Sequence, residues 1–210
     1  MTARIDPFES QAAEYENWFD KNHFAYISEL QAVKMLLPKG GKGIEIGTGT
    51  GRFAAPLDIG LGLEPSGQML KMAVQRGIRV VKGIAEELPF ADARFDFALM
   101  ITTICFLDDI DAAFHEARRV IKPTGHLIVG FIDRDSLLGR LYEKNKGDNV
   151  FYRAATFYSV DDVIEHLKHA GFGRFKFVQT IFRPLNEIRK MELILNGHGR
   201  GSFVVICASD

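Results

Sequence analysis

Short apolar runs alternate with amphipathic stretches between residues 41 and 132, and turns rich in glycine or proline separate them. Apolar runs of about four to eight residues are typical of buried strands, whereas apolar positions three and four residues apart predict helices. Strands and helices in alternation predict a parallel sheet with helices on both faces. The predicted strands are Gly43–Gly47, Asp58–Leu63, Ile78–Lys82, Phe95–Ile101 and His126–Ile132, and the predicted helices are Ser66–Gly77 and Asp111–Ile121.

The pattern changes after residue 132. Residues 133–155 are polar and irregular, with one short helical stretch that Ser136 begins. Ser159 and Asp162 match a capping box for a helix that ends at Gly171. The last two apolar runs have no clear helical pattern between them, so they predict an antiparallel pair of strands. These runs are Arg174–Phe182 and Ser202–Ala208, and two further helices are predicted before the core at Phe8–Asp20 and Tyr26–Leu37.

Composition places the chain among ordinary globular proteins. Its 210 residues are 47% hydrophobic, and 26 basic against 27 acidic residues leave a net charge of −1. This balance gives no basic surface for nucleic acid or for an anionic membrane. Cys105 and Cys207 are far apart and are typical of buried thiols in a reducing compartment. Met1–Asp6 has no apolar signal core and no run is long enough to cross a bilayer, so we expect a cytoplasmic protein.

The most informative segment is the turn that follows the first predicted strand. Gly47, Gly49 and Gly51 alternate with threonines, and glycine lets a backbone take positive φ and approach a ligand closely. Turns at this place in open α/β sheets bind nucleotide-like ligands. The spacing is Gly-x-Gly-x-Gly, unlike the Gly-x-Gly-x-x-Gly of dinucleotide-binding proteins, and Glu45 lies two residues before it. This combination resembles motif I of the class I S-adenosylmethionine (SAM)-dependent methyltransferases.

Glu64 lies just past the second predicted strand, before Pro65 and Ser66. A carboxylate at that position can accept hydrogen bonds from both hydroxyls of a ribose. The alternative is a surface glutamate that only precedes a turn. Together with the glycine loop we favour the ribose role, which would serve SAM and NAD equally well.

Residues 83–96 carry the longest continuous resemblance, to the Gly-Asp-Ala-x-x-Leu-Pro-Phe-x-Asp-x-x-Phe-Asp run of the small-molecule, type 11 methyltransferases. In that family the acid after the glycine contacts the adenine amino group, and the next backbone N–H meets the ring. Here Ile84 occupies the acid position, so that contact is lost or replaced, with Glu86 as one replacement. The backbone of Ala85 can still serve, and Ile84 is otherwise a core residue.

The resemblance also implies contacts at other positions. A backbone carbonyl at Ile101 or Thr102 would accept from the SAM ammonium group, and Tyr15 and Trp18 on the N-terminal helices would cover the cofactor. Ordinary helix packing explains the two aromatic residues equally well. Thr103 and Asp108 either face the substrate or cap the next helix, and we favour capping for Asp108. The cofactor-binding residues expected in this way are Glu45, Gly47, Thr48, Gly49, Gly51, Glu64, Pro65, Ala85, Glu86, Ile101, Thr102, Tyr15 and Trp18.

The expected fold is therefore α/β: a Rossmann-like, doubly wound, seven-stranded sheet, mostly parallel with an antiparallel last strand and helices on both faces. We expect residues 1–210 to form a single methyltransferase domain. It would comprise an N-terminal helical lid (1–40), a SAM-binding core (41–132), a substrate-side insert (133–158), and a C-terminal helix with the last strands (159–210).

The expected function is methyl transfer from SAM to a small-molecule acceptor, by a monomer or homodimer without nucleic-acid or membrane partners. Alternatives are a non-catalytic SAM-binding regulatory module, a dinucleotide-dependent oxidoreductase, and an RNA or protein methyltransferase. The acceptor would lie between the N-terminal helices and the insert, where arginine and aromatic residues suit an anionic or ring-bearing molecule. The residues concerned are Arg134, Arg140, Tyr142, Tyr152, Arg153, Phe157 and Tyr158.

No catalytic residue and no metal site is predicted. Tyr15, His23, Tyr142 and Tyr152 are candidates for a general base, and the sequence favours none of them. His166 and His169 are spaced as zinc ligands on a helix, but no further ligand is placed near them in the sequence. We therefore expect them to be part of a solvated helix face.

Overall fold

Residues 5–210, the part of the chain that the computed structural model describes, form one eight-stranded sheet with helices on both faces. Residues 1–4, the start of the expected lid and of the polar N-terminal stretch, lie outside the described residues. The strands are β1 (Gly43–Ile46), β2 (Leu61–Glu64), β3 (Arg79–Lys82), β4 (Phe95–Ile101), β5 (Ile121–Ile132), β6 (Arg174–Thr180), β7 (Leu195–Asn196) and β8 (Phe203–Ser209). The α-helices are α1 (Asp6–Ser10), α2 (Ala12–Lys21), α3 (His23–Leu36), α4 (Gly67–Gln75), α5 (Ile110–Val120), α6 (Leu137–Lys144) and α7 (Val160–His169).

The strand order across the sheet is β3-β2-β1-β4-β5-β8-β6-β7. Strands β1 to β5 pair in parallel, and β8 is antiparallel to both β5 and β6. The mostly parallel sheet with an antiparallel last strand is thus confirmed. The expected number of seven strands was wrong, because Leu195 and Asn196 pair with β6 inside a segment interpreted as a connection. A two-residue strand has no periodicity that a sequence pattern can reveal.

Alternate residues of the central strands enter two separate cores. On β4, Ala98 and Met100 pack towards α5 and α7, whereas Phe97, Leu99 and Ile101 pack towards α3. Both sets are buried, which explains why β4 is a continuous apolar run rather than an alternating one. The sheet is therefore covered on both faces, as the sequence predicts.

Several element boundaries differ from the predictions, including the start of β5, which lies at Ile121 rather than His126. The helix expected at Phe8–Asp20 is two helices, because the backbone at Gln11 leaves the helical region (φ −123°, ψ 29°). The next helix begins at His23 rather than Tyr26. The cap of α5 is Asp109, whose carboxylate accepts from the Ala112 N–H at 3.0 Å, and not Asp108.

The sheet order reverses between β1 and β4, since the chain runs outward in opposite directions from these two neighbours. In open α/β sheets ligands bind beyond the carboxyl ends of the strands at such a point. The glycine loop follows β1 there, and Thr102 follows β4 with a positive φ of 52°. No helix within residues 5–210 has the length and apolar character needed to span a bilayer.

Candidate active site

The glycine loop is fixed to the strands on either side of it. The N–H groups of Gly47 and Thr48 both donate to the Leu63 carbonyl at 2.9 Å. On the other side the Thr103 hydroxyl lies 3.3 Å from the Ile46 carbonyl. Gly47 has φ +73°, and a Cβ there would lie 2.4 Å from Thr103 Cγ2, so only glycine fits.

Glu64 lies at the end of β2 and faces this loop. Its Oε2 accepts from the Gly49 N–H and its Oε1 from the Ser66 N–H, each at 2.9 Å. Burial raises the pKa of Glu64 to about 7, against the lowering effect of these two hydrogen bonds. Each carboxylate oxygen has two acceptor positions, so one on each oxygen remains for a ligand hydroxyl. This geometry suits a pair of ribose hydroxyls.

Glu45 lies beneath the loop rather than beside the ligand space. The Thr48 hydroxyl donates to its Oε2 at 2.9 Å. Burial raises the pKa of Glu45 to about 8, although hydrogen bonds from Thr48 and the Ala54 N–H lower it. The side chain therefore supports the loop from inside the protein, which is a different position from a cofactor contact.

A narrow space of about 90 Å³, which we call the loop cleft, lies above the loop. Many of the residues expected to bind cofactor line it: Gly47, Gly49, Glu64, Pro65, Ala85, Glu86, Ile101, Thr102 and Tyr15. Glu45, Thr48 and Gly51 are not among its lining residues, and Trp18 lines a neighbouring cavity instead. The structure thus brings together residues from five separate segments of the sequence.

The end of the cleft expected to hold adenine is apolar. Ile84 lines it, where the family resemblance places an acid, and Ala85 is buried beside it. The Glu86 carboxylate accepts from the Asp108 N–H at 2.9 Å and the Asp109 N–H at 3.4 Å. Glu86 is therefore bonded to the start of α5, and whether it replaces the missing acid stays a prediction.

A second space of about 900 Å³, which we call the aromatic cavity, adjoins the loop cleft. Its walls come mainly from the N-terminal helices, the segment after β4, the insert after β5 and the segment after β6. The rings that line it are those of Phe8, Tyr15, Trp18, Phe19, Phe24, Phe53, Phe106, Phe131, Tyr142, Phe151, Tyr152, Phe157 and Tyr158. The four aromatic residues of the insert that are expected to build an acceptor pocket therefore do line this cavity.

The three arginines of the insert do not line the aromatic cavity. Arg134 forms an ion pair with Asp162 at 2.8 Å, and Arg140 and Arg153 are exposed. The expectation that these arginines would suit an anionic acceptor was wrong. The sequence pattern indicates that these arginines belong to the segment beside the pocket. It does not show in which direction their side chains point.

The rings of Phe8 and Tyr15 separate the two spaces, since both residues line the loop cleft and the aromatic cavity. Thr102 and Phe106 also line both. Ligand pockets usually measure about 300–1,000 Å³, so the loop cleft as it stands is smaller than a nucleoside requires. Because the Phe8 and Tyr15 rings separate the two spaces, displacement of these rings would join the cleft to the aromatic cavity.

Glu16 fastens α2 to the glycine loop. Its carboxylate accepts from Arg52 Nη2 at 2.7 Å, from Arg76 Nη2 at 2.5 Å and from the Thr50 hydroxyl. Burial alone would raise the pKa of Glu16, but these hydrogen bonds hold it below the ordinary value of 4.5. The ionised carboxylate therefore ties α2 to the glycine loop and to Arg76 at neutral pH, and α1 adds a contact from Glu9 to Ser66 at 2.7 Å.

We expect Glu16→Gln to loosen the lid, because the neutral amide loses the charge-assisted hydrogen bonds to two arginines. Such bonds contribute about 1.5–3 kcal/mol each, so S-adenosylhomocysteine should dissociate about tenfold faster than from the unmodified protein. Stopped-flow displacement measures that rate. Glu14→Gln is the matched control on the exposed side of α2, and an unchanged rate in Glu16→Gln would contradict the role of the lid.

Sequence reasoning missed several residues of the site. The ring of Phe8 packs against those of Phe106 and Phe151. The distance between ring centroids is 4.8 Å for Phe8–Phe106 and 5.5 Å for Phe8–Phe151. They are single phenylalanines in unrelated segments, so only the fold unites them. Glu29 on α3 was also missed, although it interrupts a buried apolar stripe that includes Ala25 and Val33. That interruption was a usable signal.

The tyrosines proposed as general bases are poorly suited to that role. Burial raises the pKa of Tyr142 to about 12, and burial also raises the pKa values of Tyr15 and Tyr152. All three therefore carry their protons at neutral pH. His23, the fourth candidate, is exposed at the edge of the aromatic cavity.

The structure supplies a third potential ligand beside the histidines of α7. Asp111 on α5 has its Oδ1 2.8 Å from His166 Nδ1, and the ligand atoms of Asp111, His166 and His169 lie within 4.8 Å of one another. The expectation that no acid lies near these histidines was therefore wrong. The absence of a metal stays a prediction, since a hydrogen bond between Asp111 and His166 explains the contact.

Comparisons with known proteins agree with this geometry. The profile of a family described as "Methyltransferase domain" matches residues 44–129, which include the glycine loop and Glu64. A crystal structure of a SAM-dependent methyltransferase from Thermotoga maritima, described as a possible histamine N-methyltransferase, superposes with a TM-score of 0.95. Its sequence is 53% identical, and the match covers 97% of this chain and 98% of that one.

Two curated relatives extend the comparison. An uncharacterised protein of Methanocaldococcus jannaschii is 46% identical over 204 residues, which cover 97% of this chain and 98% of that protein. A malonyl-[acyl-carrier protein] O-methyltransferase from Methylovorus sp. is 29% identical over 147 residues, 62% of this chain and 49% of that protein. The first match spans nearly the whole length of both proteins, whereas the second spans about three fifths of this chain and half of the other protein.

Proposed function

Because the chain belongs to the SAM-dependent methyltransferase family, we propose that it methylates a small molecule bound in the aromatic cavity. The cofactor is S-adenosylmethionine, which excludes the dinucleotide-dependent oxidoreductase considered from the sequence. The observation that carries the proposal is the cavity itself. It measures about 900 Å³ and meets the loop cleft at Thr102, Tyr15, Phe8 and Phe106.

The residues of the loop cleft fit the cofactor. We assign the ribose hydroxyls to Glu64, the methionine part to the glycine loop and to the backbone at Ile101 and Thr102, and the adenine to the apolar end at Ile84 and Ala85. When bound, SAM supplies a methyl group that is already strongly electrophilic. The protein then has to hold the acceptor in line with that methyl group and to exclude water.

The walls of the aromatic cavity serve those two tasks. Its apolar rings favour a compact molecule over a polymer chain, and the clamped N-terminal helices close over the cleft. The relative from Thermotoga maritima is described as a possible histamine N-methyltransferase, and histamine is a small molecule. For this chain we propose only that the methyl acceptor is a small molecule bound in the aromatic cavity.

The test uses methyl-labelled SAM and three fractions of a cell extract: metabolites, protein and RNA. We expect label in the metabolite fraction with the unmodified protein and none with Glu64→Ala, which serves as the inactive control. Label that enters only protein or RNA would overturn the proposal. Binding of SAM without transfer to any fraction would favour the non-catalytic regulatory module instead.

A further inference from the structure

Glu29 is a buried carboxylate on the wall of the aromatic cavity. It is 3% exposed, it lies on the buried stripe of α3, and it is one of the residues that line the cavity. Its negative charge adds to the effect of burial in raising the pKa values of Tyr15, Tyr142 and Tyr152. These three rings come from the N-terminal helices and from the insert, and they line the same cavity as Glu29.

Within residues 5–210, no donor forms a hydrogen bond or an ion pair with this carboxylate. Burial therefore raises the pKa of Glu29 to about 8 with no opposing contribution. The other buried glutamates of the site differ in this respect, because Glu45 and Glu64 each accept hydrogen bonds from the protein. Buried polar groups normally have partners, so an unpartnered carboxylate that lines a cavity indicates a partner from outside the chain.

The cations near the cavity do not neutralise Glu29. Lys21, His23 and Arg189 line its edge, and all three side chains are exposed. Arg189 donates to the Ile188 carbonyl at 3.4 Å. The acidic residues Glu14 and Asp20 lie on the same edge, so the surroundings add no net positive charge. The partner that the site lacks is a cation inside the cavity.

We propose that Glu29 anchors a positively charged nitrogen of the methyl acceptor, which makes the acceptor a basic amine. The anchor rests on the proposed function, since the aromatic cavity is taken as the acceptor site. A protonated amine supplies the charge and the hydrogen-bond donors that the carboxylate lacks.

The rings around Glu29 complete a site of this kind. Tyr142 and Tyr152 pack with ring centroids 4.6 Å apart, and Phe157 lies 5.5 Å from Tyr152. Trp18 lines the same cavity from α2. Faces of aromatic rings attract cations, most strongly where water is excluded. An anionic acceptor would instead be repelled by Glu29 and would find the insert arginines directed elsewhere.

The experiment measures binding to the full chain saturated with S-adenosylhomocysteine. Calorimetry compares 2-phenylethylamine, tryptamine and histamine with their neutral alcohol counterparts at pH 7.5. We expect at least one amine to bind more than tenfold tighter than its alcohol, and this preference to disappear in Glu29→Gln. Glu165→Gln, an exposed glutamate on α7, is the matched control and should keep the preference.

Two results of the binding experiment would overturn the proposal. One is the absence of any preference for amines over alcohols in the unmodified protein. The other is a preference that survives in Glu29→Gln while S-adenosylhomocysteine still binds and the thermal transition remains intact. The labelling experiment distinguishes failure of the amine anchor from failure of the proposed function. Labelled products without a basic nitrogen would leave small-molecule methylation standing and remove only the amine anchor.

Discussion

Replacement of Glu64 by alanine should weaken SAM binding about 100- to 1,000-fold while the fold remains intact. We propose that the carboxylate accepts from two ribose hydroxyls, and hydrogen bonds to a charged group contribute about 1.5–3 kcal/mol each. Two such bonds near the lower end of this range total about 3–4 kcal/mol, which corresponds to that loss of affinity. The variant also leaves the N–H groups of Gly49 and Ser66 without the acceptor that they have here. Isothermal titration with SAM measures the effect.

Two further variants serve as controls for the Glu64→Ala experiment. Glu64→Gln keeps the shape and one acceptor oxygen, so we expect a smaller loss of about tenfold. Glu87→Ala removes an exposed glutamate from the segment after β3 and should bind SAM as the unmodified protein does. If Glu64→Ala bound SAM with unchanged affinity and an unchanged melting transition, the ribose assignment would be wrong.

Glu29→Gln should stabilise the protein at alkaline pH and have little effect at acid pH. The folded-state pKa of Glu29 is raised to about 8 from an ordinary 4.5. Between those values the folded state keeps a proton that the unfolded chain has released, so the free energy of unfolding falls as pH rises. A difference of one between the folded and unfolded pKa values corresponds to about 1.4 kcal/mol. The glutamine variant lacks this titration and should be about 2–4 kcal/mol more stable at pH 8.5, with near equality at pH 4.5.

Urea denaturation at the two pH values measures the difference between variant and unmodified protein. Burial also raises the pKa values of Glu45 and Glu64, but both proteins share those groups, so the difference isolates Glu29. Glu165→Gln should show no pH-dependent difference, because this residue is exposed on α7. An equal stability of Glu29→Gln and unmodified protein at pH 8.5 would mean that the carboxylate finds a donor in solution.

The buried acids Glu64 and Glu29 serve different purposes. Glu64 is held by two backbone N–H groups and presents its remaining acceptor positions at a fixed place. Glu29 has no such support and destabilises the folded protein when ionised, until a cation is bound beside it. The first arrangement is pre-formed for a neutral diol, and the second gains most from a charged partner.

Much of the cofactor side follows from local sequence. Gly47, Gly49 and Glu64 are identifiable because a strand end, a glycine-rich turn and a second strand end occur at set spacings. The structure brings these residues to the reversal point of the sheet between β1 and β4, as the strand–helix alternation predicts. Glu45 shows the limit of that reasoning. It belongs to the same motif as the glycines, but its side chain lies beneath the loop and does not line the loop cleft.

The acceptor side is much less predictable. Aromatic residues of the insert are expected to line it and do, whereas the insert arginines are expected there and point elsewhere. The sequence alone could not orient most of these side chains, because residues 133–155 are irregular apart from the short helix α6. Asp111 beside His166 is a similar case, since the two residues lie on different helices and are 55 positions apart.

By itself the sequence determined the α/β architecture, the glycine loop and the carboxylate at the end of β2. These features depend on periodicity and backbone conformation within a few neighbouring residues. Only the tertiary structure decided which rings enclose the aromatic cavity and that Glu29 lies in its wall without a partner among residues 5–210. Phe8, Phe106 and Phe151 meet there from three distant segments. The surroundings of a buried charge depend on such long-range contacts, which no local pattern encodes.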